Sequence, residues 1–200
     1  MEIKERILQT AERMFFKFGI RSVTMDDIAG ELGISKKTIY QLFEDKDAIV
    51  HQVALQSFEC DKIEYERIYQ EAKNPVDEIF RNEEFMRQSF AEMHPSVILD
   101  FKKYYPKIWR FFQEHKESFI KKTIQRNLEE GVQQGFYRAE IDTDFLAKMR
   151  IEVIELGFND EVFPSEKYNF IDVQLKLTDH FLHGILTTKG LQLFNEYKNA

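Results

Sequence analysis

The sequence has little of what staples or breaks a chain. Cys60 is the one cysteine in 200 residues, which excludes a disulfide framework and a cysteine-built metal site. A lone thiol reads as a small apolar residue in a reducing compartment, so the chain is expected in the cytoplasm. Four prolines and eight glycines, with no long β-branched run, predict an all-α fold. No stretch approaches the ~18 apolar residues that a membrane span needs. The opening segment MEIKERILQT carries charges where a signal peptide would be apolar, so no membrane partner is expected. There is no glycine-rich phosphate loop, no G-x-S-x-G elbow and no H-E-x-x-H. His180 and His183 stand three apart without a further ligand at useful spacing. Neither enzyme activity, cofactor nor metal is expected.

Hydrophobic residues make up 43% and charged residues 32%, enough for a real core in a chain of this length. The net charge of −7 argues by itself against nucleic acid, which favours a basic footprint. Its distribution argues otherwise. Residues 1–50 hold 8 basic and 9 acidic side chains, so most of the acid lies beyond them. Between Gly33 and Phe43 there are two lysines and no acid.

Ile3, Ile7, Ala11, Met14 and Phe18 recur at helical spacing and predict a first helix over Glu2–Phe18, stopped by Gly19. Thr24, with Asp27 three residues on, resembles a capping box opening a short helix over Met25–Leu32. Gly33 ends that helix, and Ser35 caps a third over Lys36–Phe43. A fourth runs from Lys46 to about Ala72, before a break at Asn74-Pro75. Further helices are expected over Val76–Met93, over a short piece bracketed by Pro95 and Pro106, and over Lys107–Gln134. Two more come at Phe145–Gly157 and Tyr168–Thr188, with Gly190 marking the last end.

Thr24–Phe43 thus reads as two short helices joined by a three-residue turn, Gly33-Ile34-Ser35. This is the pattern of a helix-turn-helix. Ile28, Leu32, Ile34, Ile39 and Phe43 supply a core shared with the first helix. On the third helix Lys36, Lys37, Tyr40 and Gln41 fall opposite Ile39 and Phe43. Two cations, a phenol and an amide on one strip suit phosphates and base edges in a major groove. Lys36, Lys37 and Lys46 also sit at helix starts, where a cation opposes the helix dipole. An outside anion such as phosphate would relieve that conflict.

The segment TMDDIAGELGISKKTIYQLFEDKDAIV, with ILQTAERMFFKFG before it, resembles the N-terminal domain of the TetR family of transcriptional regulators. Thr24, Ile28, Ala29, Gly33, Ser35, Thr38, Tyr40, Phe43 and Lys46 carry the match. Lys37 and Leu42 depart from the small and aromatic residues frequent there. The resemblance implies a helix-turn-helix domain over 1–46 and a helical effector-binding and dimerisation domain over 47–200. It implies that Tyr40 and Lys46 hold DNA phosphates, that Thr24 adds a contact, and that Ser35, Lys36, Lys37, Thr38 and Gln41 belong to the DNA-binding surface, the lysines, Thr38 and Gln41 approaching bases or phosphates. The function so implied is that of a ligand-responsive regulator, expected to repress. It would bind a palindromic double-stranded operator as a homodimer and leave it on binding a small hydrophobic effector. An activator, or a helical enzyme or carrier for an apolar molecule, are the alternatives.

A single recognition helix reads few base pairs, so useful specificity needs two copies. Met149, Val153 and Leu156 form an apolar stripe on the penultimate predicted helix, and Val173, Leu177 and Phe181 form one on the last. Both serve either a four-helix interface or the chain's own core. Phe85, Met86, Phe90, Tyr105, Trp109 and Phe112 crowd the middle of the chain. They would line an apolar effector pocket or fill an ordinary core.

Overall fold

The computed structural model describes residues 2–91, 93–94 and 96–199. These residues form eleven α-helices and no β-strand; a single antiparallel bridge pairs Tyr137 with Leu186. The helices are α1 (Ile3–Phe18), α2 (Met25–Leu32), α3 (Lys36–Tyr40), α4 (Lys46–Glu71), α5 (Pro75–Phe90), α6 (Ser96–Tyr104), α7 (Pro106–His115), α8 (Lys121–Gln133), α9 (Thr143–Leu156), α10 (Phe170–Ile185) and α11 (Thr188–Lys198). Pro95, expected as a break, lies outside the described residues.

The chain folds into two compact units, Met1–Lys62 with Glu92–Gln113, and Ile63–Ala91 with Glu114–Ala200. The division differs from a boundary after residue 46. A three-helix head is too small to close its own core. Ile49, Val50, Val53 and Ala54 of α4, Val97 of α6 and Ile108 of α7 are buried in one cluster with Ile7, Ala11, Met14, Ile28, Ile39 and Phe43. On α1 the buried face includes Phe15, whereas Phe18 is exposed.

The second unit builds its core from Val76, Leu128, Tyr137, Ala147, Leu182, Ile185 and Phe194. Asn74 caps α5 through the amides of Val76 and Asp77, with Pro75 at the first helical position, where its missing N–H is harmless. A buried polar node closes the same region. Arg126 donates to Glu78 at 2.5 Å, Asn127 donates to Glu78 at 2.8 Å, and the Tyr137 hydroxyl donates to Asn127 at 3.0 Å. Glu78, Asn127 and the Tyr137 hydroxyl are each hydrogen-bonded there, while Arg126 Nε, 3.9 Å from Glu130, makes no hydrogen bond.

Two expectations of helix length are corrected. The expected single helix over 107–134 is interrupted by a π-helical turn, Lys116–Ile120. The extra residue in that turn lets two consecutive side chains, His115 and Lys116, both lie inside. Lys116 then pairs with Glu155 at 2.6 Å. Gly190 is not a helix end. It lies within α11, which Thr187 caps at the Gly190 amide. A Cβ at Gly190 would stand 2.1 Å from the carbonyl oxygen of Phe136, so close approach of two backbones requires glycine there.

Candidate nucleic-acid interface

The candidate interface is assembled within the first unit by three caps. At the start of α2 the Thr24 hydroxyl accepts from the Asp27 amide at 3.2 Å, and the Asp27 carboxylate accepts from the Thr24 amide at 2.8 Å and hydroxyl at 2.6 Å. Those hydrogen bonds from Thr24 hold the Asp27 carboxyl below the usual aspartate range. At the end of α2 Gly33 takes the left-handed conformation, φ 65° and ψ 31°. Its amide donates to Gly30 at 3.1 Å and the Ile34 amide to Ala29 at 3.0 Å, a Schellman closure. Ser35 then accepts from the Thr38 amide at 3.1 Å and starts α3.

Ile39 and Phe43 are buried and pin α3 against the core. The helix is shorter than expected and stops at Tyr40. The Leu42 and Phe43 amides both donate to the Ile39 carbonyl at 2.9 Å, which tightens the last turn and still brings Phe43 inward. Lys36, Lys37, Tyr40 and Gln41 are left exposed, and Thr38 is half-buried. The Thr38 hydroxyl lies 2.9 Å from that of Ser35.

The structure separates the three lysines. Lys36 pairs with Asp26 of α2 at 2.7 Å, and this hydrogen bond raises its pKa. Lys46 is half-buried and donates to the carbonyl of Ile20 at 2.5 Å, with its ammonium 5.8 Å from the centre of the Phe15 ring. Burial lowers the Lys46 pKa. The Lys37 ammonium has no hydrogen-bond or ion-pair partner among the described residues. Two of the three helix-start lysines thus have partners within the chain, and the case for an outside anion narrows to Lys37. Asp26 and the Ile20 carbonyl were not foreseen: the first lies ten residues from Lys36 across a turn, and the second is a backbone atom.

Nearby, Arg21 stacks on Tyr104, 4.6 Å from its ring centre, and donates to its hydroxyl at 3.0 Å. This adds an exposed cation that no sequence motif marks.

The six aromatic-pocket candidates divide between the units. Phe85, Met86 and Phe90 lie on α5 of the second. Phe85 meets Tyr65 edge-on at 5.6 Å, and Phe90 meets Phe170 at 5.8 Å. Tyr105, Trp109 and Phe112 belong to the first unit, where Trp109 and Phe112 lie 5.3 Å apart and Tyr105 packs on the core. Of the dimer candidates, Val173 and Phe181 are buried inside their own unit and Val153 and Leu177 are half-buried. Met149 and Leu156 are exposed, and Phe145, at 60% exposure, extends their stripe.

Two capped short helices around a glycine turn, with a basic and amide-bearing outer strip, define a helix-turn-helix DNA-binding regulator. Residues 7–53 match the family described as bacterial regulatory proteins, tetR family. Over those residues the chain carries the DNA-binding domain of the TetR family, the mark of a transcriptional regulator rather than an enzyme. It is 25% identical over 146 residues to the transcriptional repressor KstR2 of Mycolicibacterium smegmatis, covering 72% of this chain and 71% of that protein. It is 26% identical over 185 residues to the regulator YvaF of Bacillus subtilis, covering 90% and 94% respectively. The fold resembles that of a transcriptional regulator from Saccharomonospora viridis solved in complex with choline. That likeness has a TM-score of 0.74 at 21% identity and covers 92% of this chain and 97% of the other. No helix among the described residues is long and apolar enough to cross a membrane.

Proposed function

We propose that the chain is a repressor that binds a palindromic operator as a homodimer and releases it when a small hydrophobic effector enters the helical domain. The observation that carries the reading is the strip of Lys36, Lys37, Tyr40 and Gln41, exposed on a helix whose opposite side is locked into the core. A rigid mount is what base readout requires. Within the strip, and among the described residues, Lys37 is the free cation for a phosphate or a guanine edge. Tyr40 and Gln41 are the hydrogen-bonding groups, and Lys36 reaches DNA only by leaving Asp26. Lys46 and Thr24 serve the mount, through Ile20 and Asp27, more than the groove. The reading head is residues 1–46, and residues 47–200 hold the dimerisation and effector surfaces.

Dimerisation is supported by Phe145, Met149 and Leu156, a row of exposed apolar side chains along α9. Isolated exposed apolar residues are ordinary, but a row on one helical face fits a second copy of the chain. Ligand response is supported by the named relatives. KstR2 is a repressor by name, and the Saccharomonospora viridis regulator holds choline. The effector would shift the population of dimers away from the arrangement whose heads match major grooves about 34 Å apart. Selection of bound sequences from random DNA tests the reading: a palindrome with two half-sites is expected, and an asymmetric or absent consensus contradicts it.

A further inference from the structure

We propose that the effector carries a carboxylate on an apolar body, and that Arg150 receives it. The proposal rests on the effector-responsive reading above. Arg150 stands on α9 next to exposed Met149 but turns into the second unit. One of its nitrogens donates to the Thr178 hydroxyl on α10, and the guanidinium lies 5.4 Å from the centre of the Phe181 ring. The other terminal nitrogen, Nη1, is buried without a hydrogen-bond partner among the described residues. No carboxylate lies within ion-pair distance of Arg150 among those residues either. Arg126, in the same unit, differs: Glu78 stands 2.5 Å from it.

A buried charged donor without an acceptor is rare, and each case asks what supplies the acceptor. A carboxylate fits best, because its two oxygens match the planar fork of a guanidinium and its charge balances the cation. The carboxylate that acts on Arg150 within the chain is Glu83 of α5, which burial pushes up to about 7. Near neutral pH it is therefore only partly ionised. Arg150, lowered by burial to about 10, keeps its charge there. Tyr65 also acts on Arg150 and forms an aromatic surround with Phe85 at 5.6 Å and Phe119 at 6.1 Å. Aromatic neighbours and a buried guanidinium nitrogen without an acceptor, faced by a carboxylate that is only partly ionised, suit an organic acid as the ligand class.

Protonation of Glu83 removes a competing negative charge from Arg150, so the acid should bind more tightly at pH 6 than at pH 8. The groups that act on Glu83 are Arg87, Arg150, Asp179 and Lys198. Glu83→Gln should flatten that pH dependence.

The test uses the full chain and two probe series, 1-naphthoate and dodecanoate, each with its neutral amide and its cationic amine. Affinity is measured by calorimetry, and release is measured on the selected operator. The acids should bind at least tenfold more tightly than the amides, and Arg150→Met should erase that preference. Without ligand, at pH 6, Arg150→Met should melt at or above the wild-type temperature. The Thr178 hydroxyl still donates to the Gln174 carbonyl at 2.8 Å, so the substitution orphans no hydroxyl. Equal affinity for acid and amide, no binding of any probe, a preference that survives Arg150→Met, or a clear fall in its melting temperature each overturns the assignment. Operator release by the amides with no preference for acids removes Arg150 alone. An operator indifferent to every probe counts against the effector reading itself.

Discussion

Lys37 and Lys46 raise the same question, whether a lysine near a helix start serves DNA or the fold, and they receive different answers. The Lys37 ammonium has no partner among the described residues, so Lys37→Ala should leave the melting temperature unchanged and weaken operator binding. If it neutralises a phosphate, the salt slope should fall by about 1 per protomer. Lys46 holds the Ile20 carbonyl, so Lys46→Ala should cost about 1 kcal/mol of stability and leave the salt slope unchanged. Thermal melts and anisotropy titrations on both variants separate the two roles. Asp61 offers a residue-level test of burial. Desolvation, then the Glu12 carboxylate, push Asp61 up to about 6 from the ordinary 3.8. Between those values the folded protein holds a proton that the unfolded chain releases, so stability from this group falls as pH rises through that window. Asp61→Asn should therefore raise Tm at pH 7.5, by roughly 2–4 °C, with the gain shrinking towards pH 4. A gain of equal size at both pH values would contradict the burial account.

At the scale of elements, the helix-turn-helix is held by local hydrogen bonds that a sequence displays openly. The capping pair Thr24 and Asp27, the left-handed Gly33 and the cap Ser35 all stand where their spacing placed them. Ser35→Ala should destabilise the head by about 1 kcal/mol and weaken DNA binding in proportion; denaturant melts of wild type and variant check this. The legible features were those fixed within a few residues. The interruption at Lys116–Ile120 was not, because the pairing of Lys116 with Glu155 joins residues 39 apart. The role of Gly190 was hidden for the same reason: it is set by the Phe136 carbonyl, a distant backbone atom. Phe18 was assigned inward by periodicity, yet Phe15 took the buried place at the end of α1.

At the scale of the whole molecule, the compact packing units are drawn differently from the proposed functional division into 1–46 and 47–200. A 46-residue head borrows the start of α4, α6 and α7 to complete its core, which no local pattern encodes. The same limit applied to the aromatic-pocket candidates, whose crowding in sequence did not keep them in one unit. The buried, unpaired nitrogen of Arg150 was invisible because partner loss is a property of packing. The dimer proposal makes a direct prediction here. Phe145→Glu with Met149→Glu should leave the helix content unchanged and shift sedimentation from dimer to monomer. A pair that remains dimeric would move the interface elsewhere. The most direct test of the central claim is an anisotropy titration on the selected palindrome across a salt series, comparing wild type with Lys37→Ala combined with Tyr40→Ala. The account predicts a steep salt dependence for the wild type and a loss of at least tenfold in affinity for the double variant. Salt-independent binding, or a double variant that binds as tightly as the wild type, would contradict it.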